Sequence, residues 1–322
     1  MKALVVTLLL MAALVVEARI PLQNFDRIAI SGSDYVRLDQ WADGSGFRMR
    51  WTKSDGVILL SGPMAKLQLM VDSRRAEICG VNVWLSLPVV NHNGAALISI
   101  VDASTALEPI LFPRRTNSRL TTICLDPGHG GKDTGKIDGH NFEKTYTLLL
   151  AREVAGLLKQ DGLKVLLTRE TDTFVDLPAR PSLARRKGAD LFVSLHYNAA
   201  EGDVRGLEVY CLAPAGMNSS NEGGGKSAHP REPGNAHDNQ NVLLAYDVDK
   251  AITGSVPLED RGTKRSHFEV LREASVPAIL IEGGFMSSPW DARNIYSSTF
   301  RKRMAHAIVD GIMAYKHAVE SS

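Results

Sequence analysis

Four apolar runs constrain this chain most: TICL (122–125), KVLLT (164–168), DLFVSL (190–195) and AILI (278–281). Within each run, apolar residues do not alternate with polar ones. A strand with one wet face alternates, so these runs predict strands covered on both faces, as in a parallel sheet. Helical patterns lie between them. In residues 144–160, Tyr146, Leu150, Val154, Leu157 and Leu158 form one stripe at helical spacing, and Gly162 follows as a stop. Residues 300–318 carry a second stripe. Strands alternating with helices predict an α/β fold: a doubly wound, mostly parallel sheet spanning residues 121–319.

Ahead of this lies a region of different texture. Residues 20–112 alternate apolar with polar positions, as in Leu67, Leu69 and Val71 or Val81, Val83, Leu85 and Leu87. That is the strand period, and Asn93-Gly94 is a hairpin-type turn signal. The stretches YVRLDQWADGSG and LISIVDASTALE form a weak repeat, each reading as strand, Asp, short helix. A smaller β-rich N-terminal domain is expected here, loosely resembling the copper-amine-oxidase-N-like domain of cell-wall enzymes and carrying no metal or catalytic motif. PRRTNSRL (113–120) is polar and basic and reads as a linker. Residues 213–238 hold Gly223, Gly224, Gly225 and several Ser, Asn and Pro, and read as a flexible surface insertion.

Composition narrows the partners. With 37 Lys+Arg against 36 Asp+Glu the net charge is +1, and no basic stripe marks a nucleic-acid surface. Lys2, the apolar residues 3–16 and the small-residue pattern Val16-Glu17-Ala18 read as a signal peptide over residues 1–18. The apolar run is shorter than the roughly 20 residues of a spanning helix, which makes an uncleaved anchor the lesser alternative. The expectation is an exported protein, in the periplasm or at the cell surface, with no stable membrane insertion once the signal is removed. Three cysteines, Cys79, Cys124 and Cys211, form no CxxC pair, which disfavours a thiolate metal site. Cys124 and Cys211, in apolar strand-like contexts, read as buried free thiols, with a bond between them as the alternative.

The stretch ICLDPGHGG (123–131) sets a histidine among glycines directly after a strand. Glycine-rich turns in that place often hold phosphate at a helix start. Here Asp133 breaks GxGxxG, and the glycine and Ser/Thr positions of a P-loop are not met. The histidine therefore needs its own explanation. His129, His196 and Glu282 each follow or end an apolar run, and ligands of an open parallel sheet bind beyond the carboxyl ends of its strands. Glu143 opens the helix after the first strand, close to the same edge. Two imidazoles and a carboxylate are a common zinc set that leaves a fourth position open. Glu282 is then spare, suited to proton transfer. Taken singly, Glu143 could merely favour a helix N-terminus and His196 could be a satisfied strand-end histidine. Glu282 is harder to dismiss, because a carboxylate buried after four apolar residues is costly if unpaired.

The blocks LDPGHGGKDTG, Glu143-Lys144, LTRETD, ADLFVSLHYNA, DRGTK (260–264), FEVLREASVPA and ILIEGGF together resemble the zinc-dependent N-acetylmuramoyl-L-alanine amidase family, over residues 121–318. The resemblance implies His129, Glu143 and His196 as Zn2+ ligands and Glu282 as the catalytic carboxylate. It implies peptidoglycan as substrate, cut between N-acetylmuramic acid and L-alanine. Asp126 is a candidate to orient an imidazole and Asn198 a candidate substrate contact. The chain departs from the family at Arg185, where Asn is usual, which touches fine substrate contacts. The insertion sits where some members carry a segment that blocks the site. Glu222, His229, Glu232 and His237 are its groups able to cap an open metal position. A protein activator is compatible with this reading, and no segment specifies one. Two alternatives compete. His140-Asn141-Phe142-Glu143 has the HxxE spacing of zinc carboxypeptidases, which would make His140 the ligand and leave DPGHGG unexplained. A non-catalytic wall-binding regulator would keep the fold without hydrolysis.

Overall fold

A computed structural model describes residues 20–52 and 56–321; the export segment expected at residues 1–18 lies outside them. The four apolar runs form the strands Thr122–Pro127, Lys164–Leu167, Leu191–Asn198 and Ala278–Phe285. They pair in parallel, with Thr122–Pro127 between Lys164–Leu167 and Leu191–Asn198, and Ala278–Phe285 beyond. The reason they do not alternate is visible in their packing. Ile123, Leu125, Val193 and Ile281 enter one hydrophobic core, while Cys124, Phe192 and Leu280 enter another on the opposite face. The first core is closed by the helices Glu143–Gln160, Asp238–Ser255 and Ser298–Val319, the second by Ala179–Arg186 and Glu269–Arg272. This is the doubly wound α/β arrangement. Cys124 and Cys211 are buried free thiols and Cys79 is an exposed one.

Two more strands complete this part of the sheet, and the second carries little apolar signal. Leu207–Leu212 runs antiparallel to Ala278–Phe285, and beside it Asp260–Ser266 (DRGTKRS) runs parallel to Leu207–Leu212. The latter strand is charged yet mostly buried, because its cations are paired from the neighbouring strand.

The β-rich N-terminal part forms an antiparallel meander of Arg48–Trp51, Val57–Ser61, Lys66–Met70, Arg75–Ile78 and Val81–Trp84. It meets the edge of the large sheet where Val83 pairs in parallel with Thr263, so hydrogen bonding continues through 11 strands. Asn82 N–H donates to the Asp260 carboxylate at 2.8 Å, Trp84 Nε1–H to Arg261 O at 2.9 Å and Tyr246 OH to Ile78 O at 3.1 Å across the seam. A second sheet of four holds Ile28–Ile30, Ser33–Arg37, Ala95–Ser99 and Val90–His92. Asn93 and Gly94, both at positive φ, close the hairpin between its last two strands. The two repeat-like stretches each run from strand into helix, and their strands pair with Tyr35 opposite Ser99. No helix among the described residues is long and apolar enough to cross a membrane.

The helices Asp238–Ser255 and Ser298–Val319 approach closely at Gly311, where an added Cβ would lie 2.5 Å from Val248 Cα. Glycine to alanine inside a helix ordinarily stabilises by about 1 kcal/mol. Here backbone contact reverses the sign, and Gly311→Ala is expected to cost about 1–3 kcal/mol, as overpacking does. Equilibrium urea unfolding checks this, and a more stable variant would show that the helices part freely.

Candidate active site

The parallel strands deliver their carboxyl ends to one edge. His196 and Glu282 are register partners on adjacent strands, His129 follows Pro127 on the next strand over, and Glu143 is the first residue of its helix. Together they line a pocket of about 440 Å3 with Asp133, Lys136, Leu177, Asn198 and Phe268. That volume suits a small chemical group with its flanking atoms.

His129, Glu143 and His196 each bring a ligand-type atom within 4.8 Å of the others. Glu143 Oε1 lies 3.0 Å from His129 Nε2 and 3.1 Å from His196 Nδ1. A tetrahedral zinc with bonds near 2.0 Å sets its ligands about 3.3 Å apart, so the spacing fits. The charge pattern fits as well. Asp133 Oδ2 lies 2.9 Å from His129 Nδ1, so Asp133 anchors one ring nitrogen while Nε2 faces the Glu143 carboxylate. With the Glu143 carboxylate on one side and the imidazole nitrogens on the other, positive charge, whether a proton or a metal ion, is stabilised between them. Burial raises the Glu143 carboxyl, but hydrogen bonds from the two imidazoles outweigh it and hold it well below the usual range. Burial lowers His129, and its hydrogen bonds with Glu143 and Asp133 raise it above its ordinary value. Tyr197 N–H and Lys136 N–H fix the two Glu143 oxygens from the backbone at 3.1 and 2.9 Å.

The turn carrying His129 answers why a histidine stands among glycines. His129 itself takes φ +60°. Gly130, at φ +130°, would place a Cβ 2.2 Å from Thr173 O, so no side chain fits. Gly128 lies against the other imidazole, where a Cβ would be 2.3 Å from the His196 ring. Asp126, expected to orient an imidazole, does not reach one. Its buried carboxylate accepts from Thr168 Oγ1, from Ser194 Oγ at 2.8 Å and from Arg180 Nη1 at 2.8 Å. The imidazole partner is Asp133, four residues past His129 in the same motif, and that spacing was the available signal. Arg180 and Arg169, both buried, donate to the carbonyls of Pro127, Gly128 and His129, and so hold the turn.

Glu282 Oε2 is buried with no hydrogen-bond partner. Burial, and then the charges of Glu143 and Glu208, push its carboxyl well above the usual range. Glu208, its register partner on the antiparallel neighbour, is in the opposite condition. Arg261 Nε at 2.8 Å and Lys264 Nζ at 2.6 Å donate to one oxygen; Tyr210 OH at 2.7 Å and Asn198 Nδ2 at 2.8 Å donate to the other. Burial raises Glu208, but Lys264 and these hydrogen bonds hold it below the ordinary carboxylate value. Asn198 stands on the pocket wall, its carbonyl accepting from Ala199 N–H. Glu208 was not legible in sequence, because its cations lie some fifty residues away along the chain.

Several candidates lie away from this cluster. His140 is exposed in a short hairpin turn, outside the trio, which removes the HxxE ligand set. Arg185 is exposed and does not line the pocket. Within residues 213–238, Glu222 caps Ser219 N–H, His229 stacks on His267 at 3.8 Å, Glu232 lies 3.6 Å from Arg272, and His237 Nε2 contacts Ser275 O at 3.1 Å. None of the four caps the metal position.

Residues 123–314 match the family model described as N-acetylmuramoyl-L-alanine amidase. The N-acetylmuramoyl-L-alanine amidase AmiA of Salmonella typhimurium is 32% identical over 280 residues, covering 78% of this chain and 94% of AmiA. Among solved structures, the amidase AmiC2 of Nostoc punctiforme is 34% identical with a TM-score of 0.52, covering 62% of this chain and 98% of that one. An N-acetylmuramoyl-L-alanine amidase from Clostridium difficile 630 is 32% identical with a TM-score of 0.52, covering 62% and 97%.

A histidine whose second nitrogen is anchored by a carboxylate holds a metal about 10–100-fold more tightly than one without. Asp133→Ala is therefore expected to weaken divalent-ion binding by that factor, read by competition with a chromophoric chelator. Unchanged affinity would show that the Asp133 contact does not orient His129.

Proposed function

The chain belongs to the N-acetylmuramoyl-L-alanine amidase family, and from that premise we propose how its own residues hydrolyse the amide between N-acetylmuramic acid and the L-alanine of the stem peptide in peptidoglycan. The family is metal-dependent. In this reading His129 Nε2, His196 Nδ1 and a Glu143 oxygen hold one divalent ion, and two nitrogens with one carboxylate suit zinc. When bound, the ion supplies Lewis acidity to a water and to the scissile carbonyl, and positive charge that draws the Glu282 carboxyl back toward ionisation.

Glu282 does the proton work. Its unpartnered Oε2 at the pocket edge accepts a proton from the attacking water as the new C–O bond forms. It then returns that proton to the alanine nitrogen as the C–N bond breaks. The products are a lactyl carboxylate and a peptide with a free amino terminus. Asn198 stands beside His196 with one N–H bound to Glu208, and offers its second N–H to a carbonyl of the substrate. The single observation that carries the proposal is that unpaired carboxyl oxygen beside a His-Glu-His cluster. Peptidoglycan lies outside the cytoplasm, which supports an exported protein in the periplasm or at the cell surface.

Chelation is expected to abolish peptide release from purified sacculi, and zinc to restore it. Glu282→Gln should keep its metal, measured by atomic absorption, while turnover falls on the order of 10²–10⁴-fold. Near wild-type release by that variant would end the proposal. His129→Ala should lose both metal and activity, whereas His140→Ala keeps both; the reverse pattern would restore the carboxypeptidase-like ligand set.

A further inference from the structure

Behind the pocket wall sits a carboxylate that the hydrolysis does not use. Glu208 is buried and accepts from four side chains, each within 2.8 Å. Two are cations, Arg261 and Lys264, on the charged strand Asp260–Ser266. The third is Tyr210 on its own strand, and the fourth is Asn198, the one member that lines the pocket. Asn221 braces the far side: its Nδ2 donates to Tyr210 OH at 2.8 Å, and its Oδ1 accepts from Lys264 Nζ at 3.2 Å. The donors on Glu208 leave it no freedom to rotate without stranding a buried cation, so the position of its oxygens is fixed.

That fixity passes to Asn198. An amide can sit with its N–H2 or its carbonyl toward a neighbour, and the two poses differ little in shape. A carboxylate accepts and never donates, so Glu208 selects the pose in which Asn198 presents N–H to it. The Asn198 carbonyl is taken by Ala199 N–H at 2.8 Å. What remains of the amide is its second N–H, at the pocket wall beside His196.

We propose that Glu208, held by Arg261, Lys264 and Tyr210, is a positioning residue that fixes the Asn198 amide so that its remaining N–H meets a carbonyl of the substrate. This rests on the hydrolytic site described above. Glu208 touches neither substrate nor metal; it acts through Asn198. Glutamine at this position keeps the size but has only one oxygen. With that oxygen turned to the cations, its N–H2 opposes the N–H2 of Asn198, and the amide is turned over or pushed away.

The test is a double-mutant cycle with Asn198→Ala and Glu208→Gln, read as kcat/KM on a defined muropeptide, with metal content and melting temperature alongside. Each single change is expected to lower kcat/KM about tenfold with metal content unchanged, and the pair also about tenfold, because Glu208 has no effect once the amide it positions is gone. A hundredfold loss in the pair, wild-type kinetics in either single variant, or metal loss in Glu208→Gln overturns the proposal. Gln at 208 leaves Lys264 with a weakened buried partner. If that variant does not fold, the cycle is run on Glu208→Gln combined with Lys264→Met, which removes the stranded charge; failure of both to fold assigns Glu208 to the scaffold and overturns the proposal too. Glu282→Gln runs in parallel. If it is inactive and metal-loaded while the cycle is additive, the hydrolytic site stands and the role of Glu208 falls. If it is active, the site reading itself falls.

Discussion

Two buried guanidiniums, Arg169 and Arg180, bind the backbone of the turn that carries His129. A left-handed residue flanked by glycines has little local reason to hold one shape, and the carbonyls around it accept from buried side chains. Arg169 takes Pro127 O and Gly128 O, and Arg180 takes Pro127 O and His129 O. Asp126 supplies the negative charge that lets Arg180 be buried. Removing either member of such a pair strands a charge, at a cost of about 3–5 kcal/mol. The geometry of the trio His129, Glu143 and His196 therefore depends on a network that touches neither imidazole ring.

The site is organised by a contrast between its carboxylates. Glu143 is bounded by imidazoles and backbone N–H groups, and Glu208 by two cations and two neutral donors; both are held below their ordinary range. Glu282 is left without a partner and is pushed the other way. Three acids within one pocket region thus divide into two that fix geometry and one available to exchange a proton. Environment alone separates them, since the side chains are chemically the same.

The N-terminal strands extend the same sheet from its far edge. Their seam runs through Asp260, Arg261 and Thr263, on the strand that also supplies Arg261 and Lys264 to Glu208. An edge strand of sequence DRGTKRS would be poorly held alone. Pairing on both sides buries it and fixes the cations at the rear of the pocket. Likewise residues 213–238 contribute Asn221 to that cluster instead of a cap over the metal position.

By itself the sequence determined the parallel α/β sheet and the edge at which His129, His196 and Glu282 gather. A short apolar run without alternation, bounded by turn residues, reads as a strand buried on both faces, and residues just past parallel strands share one end of the sheet. Glu143 was legible because it opens the helix that follows the first strand. Tertiary structure alone decided which carboxylate anchors His129, Asp133 and not Asp126, and which acid sits behind Asn198. It also decided that DRGTKRS is a buried strand. The physical reason is the same in each case. Apolar burial leaves a periodic mark along the chain, whereas an ion pair or hydrogen bond joins residues of any separation and becomes visible only when the fold has brought them within 3 Å.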